Sequence, residues 1–180
     1  MPAGPCQYTN SWRTFTHNLK ELKGLRSGSL LDRKKPARTE RKDHAGVPDV
    51  EVFKRYLDAT ALHKTIEKVR MHDTRVLRGV TARMLQTRLA DRQFDKTCRH
   101  GKHLFVKVGD MGWLRLHFGM TGFLRYFKRT DKKPDHVAMT IRFVNGFCLV
   151  YDNQRRLGQV GWVESPEEFA REERLGPDVR

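Results

Sequence analysis

RHGKHLFVKVGDMGWLRLHFGMTG, residues 99–122, contains two β-rich runs joined by a glycine turn and closed by a glycine-bounded loop. Leu104, Val106 and Val108 alternate with Phe105 and Lys107, and Trp113–Phe118 forms the second run. Period-two alternation between glycine-containing turns is the pattern of paired antiparallel strands. Lys102, behind Gly101, stands at one end of this unit, and Met120, between Gly119 and Gly122, stands at the other. A basic residue at one mouth of a sheet and an apolar wedge at the other are more than a structural hairpin needs.

The same pattern continues on both sides. Downstream, Phe123–Lys128 reads as a strand, and His136–Val144 and Phe147–Tyr151 flank Asn145-Gly146. An Asn-Gly pair between apolar runs is a strong hairpin signal, because both turn positions of the two-residue loop need positive φ. Gln159–Val163 is a last strand, and Ser165-Pro166-Glu167-Glu168 opens a helix: serine as cap, proline at the first position, Glu168 closing a capping box. Upstream, Pro48 with Asp49 and Glu51 starts a helix whose buried stripe is Val52, Phe53, Tyr56 and Leu57 and which ends near Leu62. Ile66–Met71 reads as a strand, and a short helix follows with Thr81 as N-cap and Met84, Leu85 and Leu89 inside. The expected class is α+β, a two-layer antiparallel β-sandwich flanked by helices, with a disordered N-terminal extension.

That extension is residues 1–46. Residues 1–47 carry ten Lys/Arg against four Asp/Glu, and Asp32–Asp43 has no aliphatic residue beyond Ala37. Such a segment buries too little apolar surface to offset its ordering entropy. It reads as a basic arm that tracks phosphates or as a solvated extension.

The 180-residue chain carries a formal net charge of +15. An excess of that size favours a polyanionic partner, nucleic acid before a membrane surface. No run of about 18 apolar residues suits a membrane span, and the N-terminus has no apolar secretory segment. Cys6, Cys98 and Cys148 are far apart and form no Cys-x-x-Cys pair, so neither a zinc site nor another cofactor is expected. Free cysteines fit a reducing, cytoplasmic compartment.

Three loop features carry basic or wedge-like groups. Lys102 reads as a phosphate contact or as a solvated edge lysine. Met120 reads as a wedge or as a core plug. Arg155-Arg156, before Leu157-Gly158, reads as a surface pair or as a second insertion. Apolar side chains inserted into a duplex unstack bases, and a displaced base leaves hydrogen-bonding groups that an arginine can meet. His100, His103, His117 and His136 lack metal-ligand company and read as phosphate contacts or satisfied structural residues.

PDVEVFKRYL (48–57), RHGKHLF (99–105), LHFGMTGFLR (116–125), PDHV (134–137), NGFCLVYDNQRRLG (145–158) and LGP (175–177) resemble, in order and spacing, the N-terminal domain of the formamidopyrimidine-DNA glycosylase and endonuclease VIII family. The resemblance covers about residues 47–180. It implies a β-sandwich that recognises oxidised bases in double-stranded DNA, flips them out, cuts the glycosidic bond and nicks the strand at the abasic site. Lys102 matches the family's catalytic-domain lysine, which contacts phosphates flanking the damaged nucleotide. Met120 and Arg155 match two of the residues that fill the gap left by the flipped base. Leu157 stands where many members have phenylalanine, and His117 and His136 match positions near the DNA backbone. Arg156 joins them as a DNA contact. No oligomer is expected.

Two departures bear on chemistry. Family members begin Met-Pro-Glu-Leu-Pro, and the terminal proline amine attacks the sugar while the glutamate serves as general acid. Here Pro48-Asp49-Val50-Glu51 matches the motif's second half, and Ala45 and Gly46 hold the places of nucleophile and acid. An internal peptide nitrogen is not nucleophilic and glycine has no proton to give, so these two residues cannot run the family's reaction. Pro2 follows Met1 without an adjacent acid. Beyond Leu-Gly-Pro the family continues into a helix–two-turn–helix domain and often a zinc finger, for which this chain has no matching segment. The expectation is a damaged-DNA-binding domain that is weak or inactive alone, with a non-catalytic DNA-binding module or a fragment of a longer glycosylase as the alternative.

Overall fold

The computed structural model describes residues 47–130 and 134–177. The expected disordered extension, with Pro2, Ala45 and Gly46, lies outside them. Helix α1, Val47–Thr60, leads into β1, Ile66–Met71, a 3-10 turn at Thr74–Val76 and the two-residue β2, Leu77–Arg78. Helix α2, Ala82–Leu89, precedes β3, Phe94–His100, β4, His103–Val108, and β5, Trp113–His117. Then come β6, Gly122–Lys128, β7, Val137–Phe143, β8, Phe147–Asn153, β9, Gln159–Val163, and helix α3, Pro166–Glu172.

The strands form a four-stranded sheet, β1-β7-β8-β6, and a five-stranded sheet, β2-β9-β5-β4-β3. All neighbours are antiparallel except β2 and β9, which makes the second sheet mixed at one edge. Alternate side chains of each sheet meet in one core: Leu104, Val106, Leu114, Leu116 and Val160 from one, Val69, Met139, Ile141, Leu149 and Tyr151 from the other. Burial of these large apolar side chains, about 1.5–3 kcal/mol each, is the main drive for the two-layer arrangement. Helix α1 adds Val50 and Leu57 to the core, Ala61 just beyond it adds to the same cluster, and the Phe53 ring lies 4.4 Å from that of Phe118.

Several local expectations are corrected. Val52 is 62% exposed, because the α1 stripe is centred on Val50 and Leu57, one turn-face away. Thr81 caps α2 by accepting from the Met84 N–H, and Leu85 and Leu89 are buried, but Met84 itself faces outward. The turn after Phe143 holds three residues, not two. The Gly146 N–H donates to the Phe143 carbonyl, and only Gly146, at φ +82°, takes the left-handed conformation. Asn145 instead accepts the Phe147 N–H on its side chain, closing a type I turn with a glycine bulge. At α3, Ser165 accepts from the Glu168 N–H as a cap, while its hydroxyl donates to Glu167, so Glu168 closes no capping box.

The largest correction concerns the opening hairpin. His103 pairs with His117 across β4 and β5. The β3–β4 turn with Lys102 and the β5–β6 loop with Met120 therefore lie at the same end of the sheet. A strand and its antiparallel return bring the start of one beside the end of the other, and sequence order alone hides this.

Candidate nucleic-acid interface

That end of the sandwich collects Lys102, His117, Met120, His136, Arg155, Arg156 and Leu157. The β5–β6 loop, 118–121, carries Met120, and the β8–β9 loop, 154–158, carries Arg155, Arg156 and Leu157. Gly122 pairs with Asn153 and Val137 with Asp152, which sets His136 beside both loops. Lys102, His136, Arg155, Arg156 and Leu157 are exposed, and Met120 and His117 are half-buried.

The two loops touch. The Arg155 N–H donates to the Thr121 hydroxyl at 3.1 Å, and Arg155 Nη1 lies 3.9 Å from the Met120 sulfur. Met120 is not the core plug. Phe118, 1% exposed and packed with its ring tilted against Phe53, takes that place two residues earlier. Leu157 is 54% exposed, an apolar side chain held in solvent. Gly119 permits the close approach: at φ +61°, a β-carbon there would stand 2.8 Å from the Leu157 carbonyl carbon.

A buried polar pin holds both loops from below. Tyr151 donates its hydroxyl to the His117 carbonyl at 2.8 Å, and Asn153 Nδ2 donates to the Phe118 carbonyl at 3.1 Å and to the Tyr151 hydroxyl at 3.0 Å. The Asn153 backbone closes the rest, donating to the His136 carbonyl and accepting from the Arg156 N–H. Burial drives the Tyr151 phenol upward, so it stays a donor at every physiological pH.

Arg156 has left-handed backbone, φ +56°, and its Nε lies 2.8 Å from Asp73 Oδ2. Asp73 also accepts from Arg75 Nε and Nη2, both at 2.9 Å, and the Arg75 hydrogen bonds hold its carboxyl below the usual range. These groups, with His72, Asp135 and His136, line an open groove of about 310 Å³. The Gly119 N–H donates to His117 Nδ1 at 3.3 Å, which leaves Nε2 to donate outward. Burial, then the charges of Arg115 and Lys102, lowers the His117 pKa. His103, 5.0 Å away ring to ring, is pushed down to about 4, by burial first and then by His117, Arg115 and His100.

Both imidazoles are thus neutral in the folded chain where the unfolded chain binds protons. With the folded pKa below the unfolded value near 6.5, stability is fully present above pH 6.5 and falls as the pH drops toward 4. Thermal unfolding between those limits is expected to show this decline. Replacing His103 by phenylalanine is expected to flatten it by about 1–2 kcal/mol, after allowance for solvent screening of a partly exposed ring.

Sequence reasoning missed Asp73, Tyr151 and Asn153. The one signal was Asp152-Asn153 ending an otherwise apolar run, FCLVYDN, where polar side chains have to find buried partners. Among the described residues no group of three His, Cys, Asp or Glu is placed to hold a metal, and Cys148 is a buried free thiol. No described helix is long and apolar enough to cross a membrane.

Comparison with known proteins agrees with this architecture. The profile of the formamidopyrimidine-DNA glycosylase N-terminal domain matches residues 46–160. The formamidopyrimidine-DNA glycosylase of Geobacter metallireducens is 32% identical over 133 residues, 73% of this chain and 49% of that protein. That of Teredinibacter turnerae is 32% identical over 73% of this chain and 48% of its own length. The chain thus spans about half the length of the curated relatives it matches. Among solved structures, Lactococcus lactis formamidopyrimidine-DNA glycosylase, non-covalently bound to DNA with an abasic site, superposes with a TM-score of 0.69 at 21% identity, over 74% of this chain and 51% of that one. A structure of MutM with DNA containing carbocyclic 8-oxoguanine gives 0.69 at 22% identity, over 73% and 49%. The matched profile runs from α1 into β9 and takes in both touching loops, and on it the chain belongs to the formamidopyrimidine-DNA glycosylase family.

Proposed function

We propose that this chain binds duplex DNA at a damaged or abasic position and that its end loops do the gripping. In this reading Lys102, His117, His136 and Arg156 meet backbone phosphates, and Met120, Arg155 and Leu157 enter the duplex where a base has left the stack. The observation that carries it is the contact between Met120 and Arg155: an apolar wedge and a guanidinium from separate loops, side by side at one end. Apolar wedges unstack base steps, and cationic side chains beside them anchor the bent backbone. The structural neighbour from Lactococcus lactis supports the same partner, since that protein is bound to abasic-site DNA.

The family reaction needs an amine that attacks the anomeric carbon and an acid that protonates the departing base. With Ala45 and Gly46 at those places, the chain supplies neither from the matching motif. We read it as a damaged-DNA binder with weak or absent base excision of its own, acting in the cytoplasm as a single copy.

The test is fluorescence anisotropy with a duplex containing an abasic-site analogue, paired with borohydride trapping on a true abasic site. Binding is expected to weaken by about tenfold between 50 and 200 mM salt, as for the two cationic phosphate contacts of Lys102 and Arg156. No borohydride-trapped adduct is expected. Salt-independent binding would remove the DNA reading, and a trapped adduct would remove the inactive one while identifying the amine responsible.

A further inference from the structure

The outer face of the five-stranded sheet holds a charge that the end loops do not use. Arg115 on β5 is 5% exposed. Its Nη1 donates to Gln159 Oε1 at 3.1 Å and lies 3.4 Å from His103 Nδ1, and its guanidinium carbon sits 4.7 Å from the Phe169 ring of α3. None of these partners is negative. Gly161 makes room for the group: a β-carbon there would stand 3.0 Å from Arg115 Nη2 and 3.1 Å from Nε. Among the described residues no carboxylate pairs with Arg115 within 4.0 Å.

A guanidinium withdrawn from water is stable where a counter-charge meets it. Arg115 faces a cavity of about 430 Å³ whose other walls include His103, His117, Arg78 and Gln159, with the exposed Glu173 as its one acid. That space exceeds the roughly 30 Å³ share of a single water many times over. The fork of a guanidinium matches two oxygens of a planar or tetrahedral oxyanion, and Arg78 adds a second positive charge to the same lining.

We infer that this cavity beneath α3 is an anion site that takes a phosphate group, with Arg115 as its principal ligand. The group belongs either to a free phosphate or to a DNA strand reaching past His117. The site itself does not rest on the DNA reading; only the second source does.

The first experiment contains no DNA. The intact chain is melted in inorganic phosphate and in chloride at matched ionic strength. Saturating phosphate is expected to raise the melting temperature by about 8 °C, the shift of a ligand near one hundred times its Kd. Arg115→Gln is expected to lose that rise. Glu173→Gln, at the exposed C-cap of α3, keeps the backbone N–H that closes the helix and is expected to tighten phosphate binding, because it removes the competing carboxylate. No phosphate-specific rise in the unaltered chain overturns the inference. So does a Glu173→Gln chain that melts lower and gains no phosphate affinity, since Glu173 would then be the counter-charge. A second arm asks whether phosphate displaces an abasic-site duplex. Displacement, with a salt slope reduced by about 0.9 in Arg115→Gln, assigns the site to a DNA phosphate; a phosphate rise without displacement assigns it to a free one.

Discussion

Replacing Gly158 by alanine is expected to lower the melting temperature by about 10 °C and to disorder both end loops together. The added β-carbon falls on the Tyr151 hydroxyl and the Asn153 side-chain amide, and 2.9 Å from the His117 carbonyl. Neither side chain has anywhere to go, at 1% and 2% exposure. Over-packing of a filled interior costs about 1–3 kcal/mol, and each buried polar group deprived of its partner costs about 1–3 more. A total of about 3–4 kcal/mol corresponds to roughly 10 °C for a domain of this size. Gly109→Ala is the control. Its φ is +48°, but open space surrounds the position, so about 1 kcal/mol of backbone strain is the whole expected cost. Circular dichroism melts of the two variants decide the matter. Equal shifts would mean that the Tyr151–Asn153 pin does not organise this end of the sandwich.

Gly158 shows how far the sequence could be read. Strand positions followed from local alternation, and the hairpin at Asn145-Gly146 from its turn chemistry. These depend on residues within a few positions of each other. What the chain order conceals is which loops become neighbours. Met120 and Arg155 stand 35 residues apart and still touch, because β5 enters the sandwich, β6 leaves beside β8, and β9 returns beside β5. Lys102 appeared opposite Met120 for the same reason, until the His103–His117 pair set the register. The resemblance to known glycosylases supplied the residues of this end as a set, and the topology is what brings them together.

Burial was the other quantity that local pattern could not deliver. Arg115 alternates outward between Leu114 and Leu116, the position of an ordinary solvated residue in a one-sided sheet. Helix α3 covers it with Phe169, and Gly161 on the neighbouring strand admits its guanidinium. Phe105 is buried on the same outward face, its ring 5.7 Å from Phe169, where alternation with Leu104 and Val106 had set it outside. A helix that arrives 50 or more residues later turns a solvent face into a second interior, and no period-two count reports it. The long-range ion pair of Asp73 with Arg156 was hidden in the same way.

The wedge is where phosphate grip and lesion recognition separate. Met120→Ala and Arg155→Ala are each expected to reduce the preference for abasic-site duplex over intact duplex by about tenfold, with little change in binding to the intact one. A wedge acts only where a step has been unstacked, so its loss is felt at the lesion alone. Lys102→Ala is expected to weaken binding to both duplexes alike and to reduce the salt slope by about 0.9, the mark of one phosphate contact removed. The double variant Met120→Ala/Arg155→Ala is expected to lose less than the product of the single losses. The two side chains touch, so removing either already frees the other from its set orientation. Anisotropy titrations of the four variants on both duplexes, at two salt concentrations, measure all of these quantities together. If Met120→Ala keeps the lesion preference while Lys102→Ala loses it, the apolar residue is a surface cap on the loop and discrimination resides in the backbone contacts. If all variants lose both duplexes equally, the end loops bind DNA by charge alone. The wedge reading requires the intermediate pattern: lesion preference lost at Met120 and Arg155, overall affinity lost at Lys102.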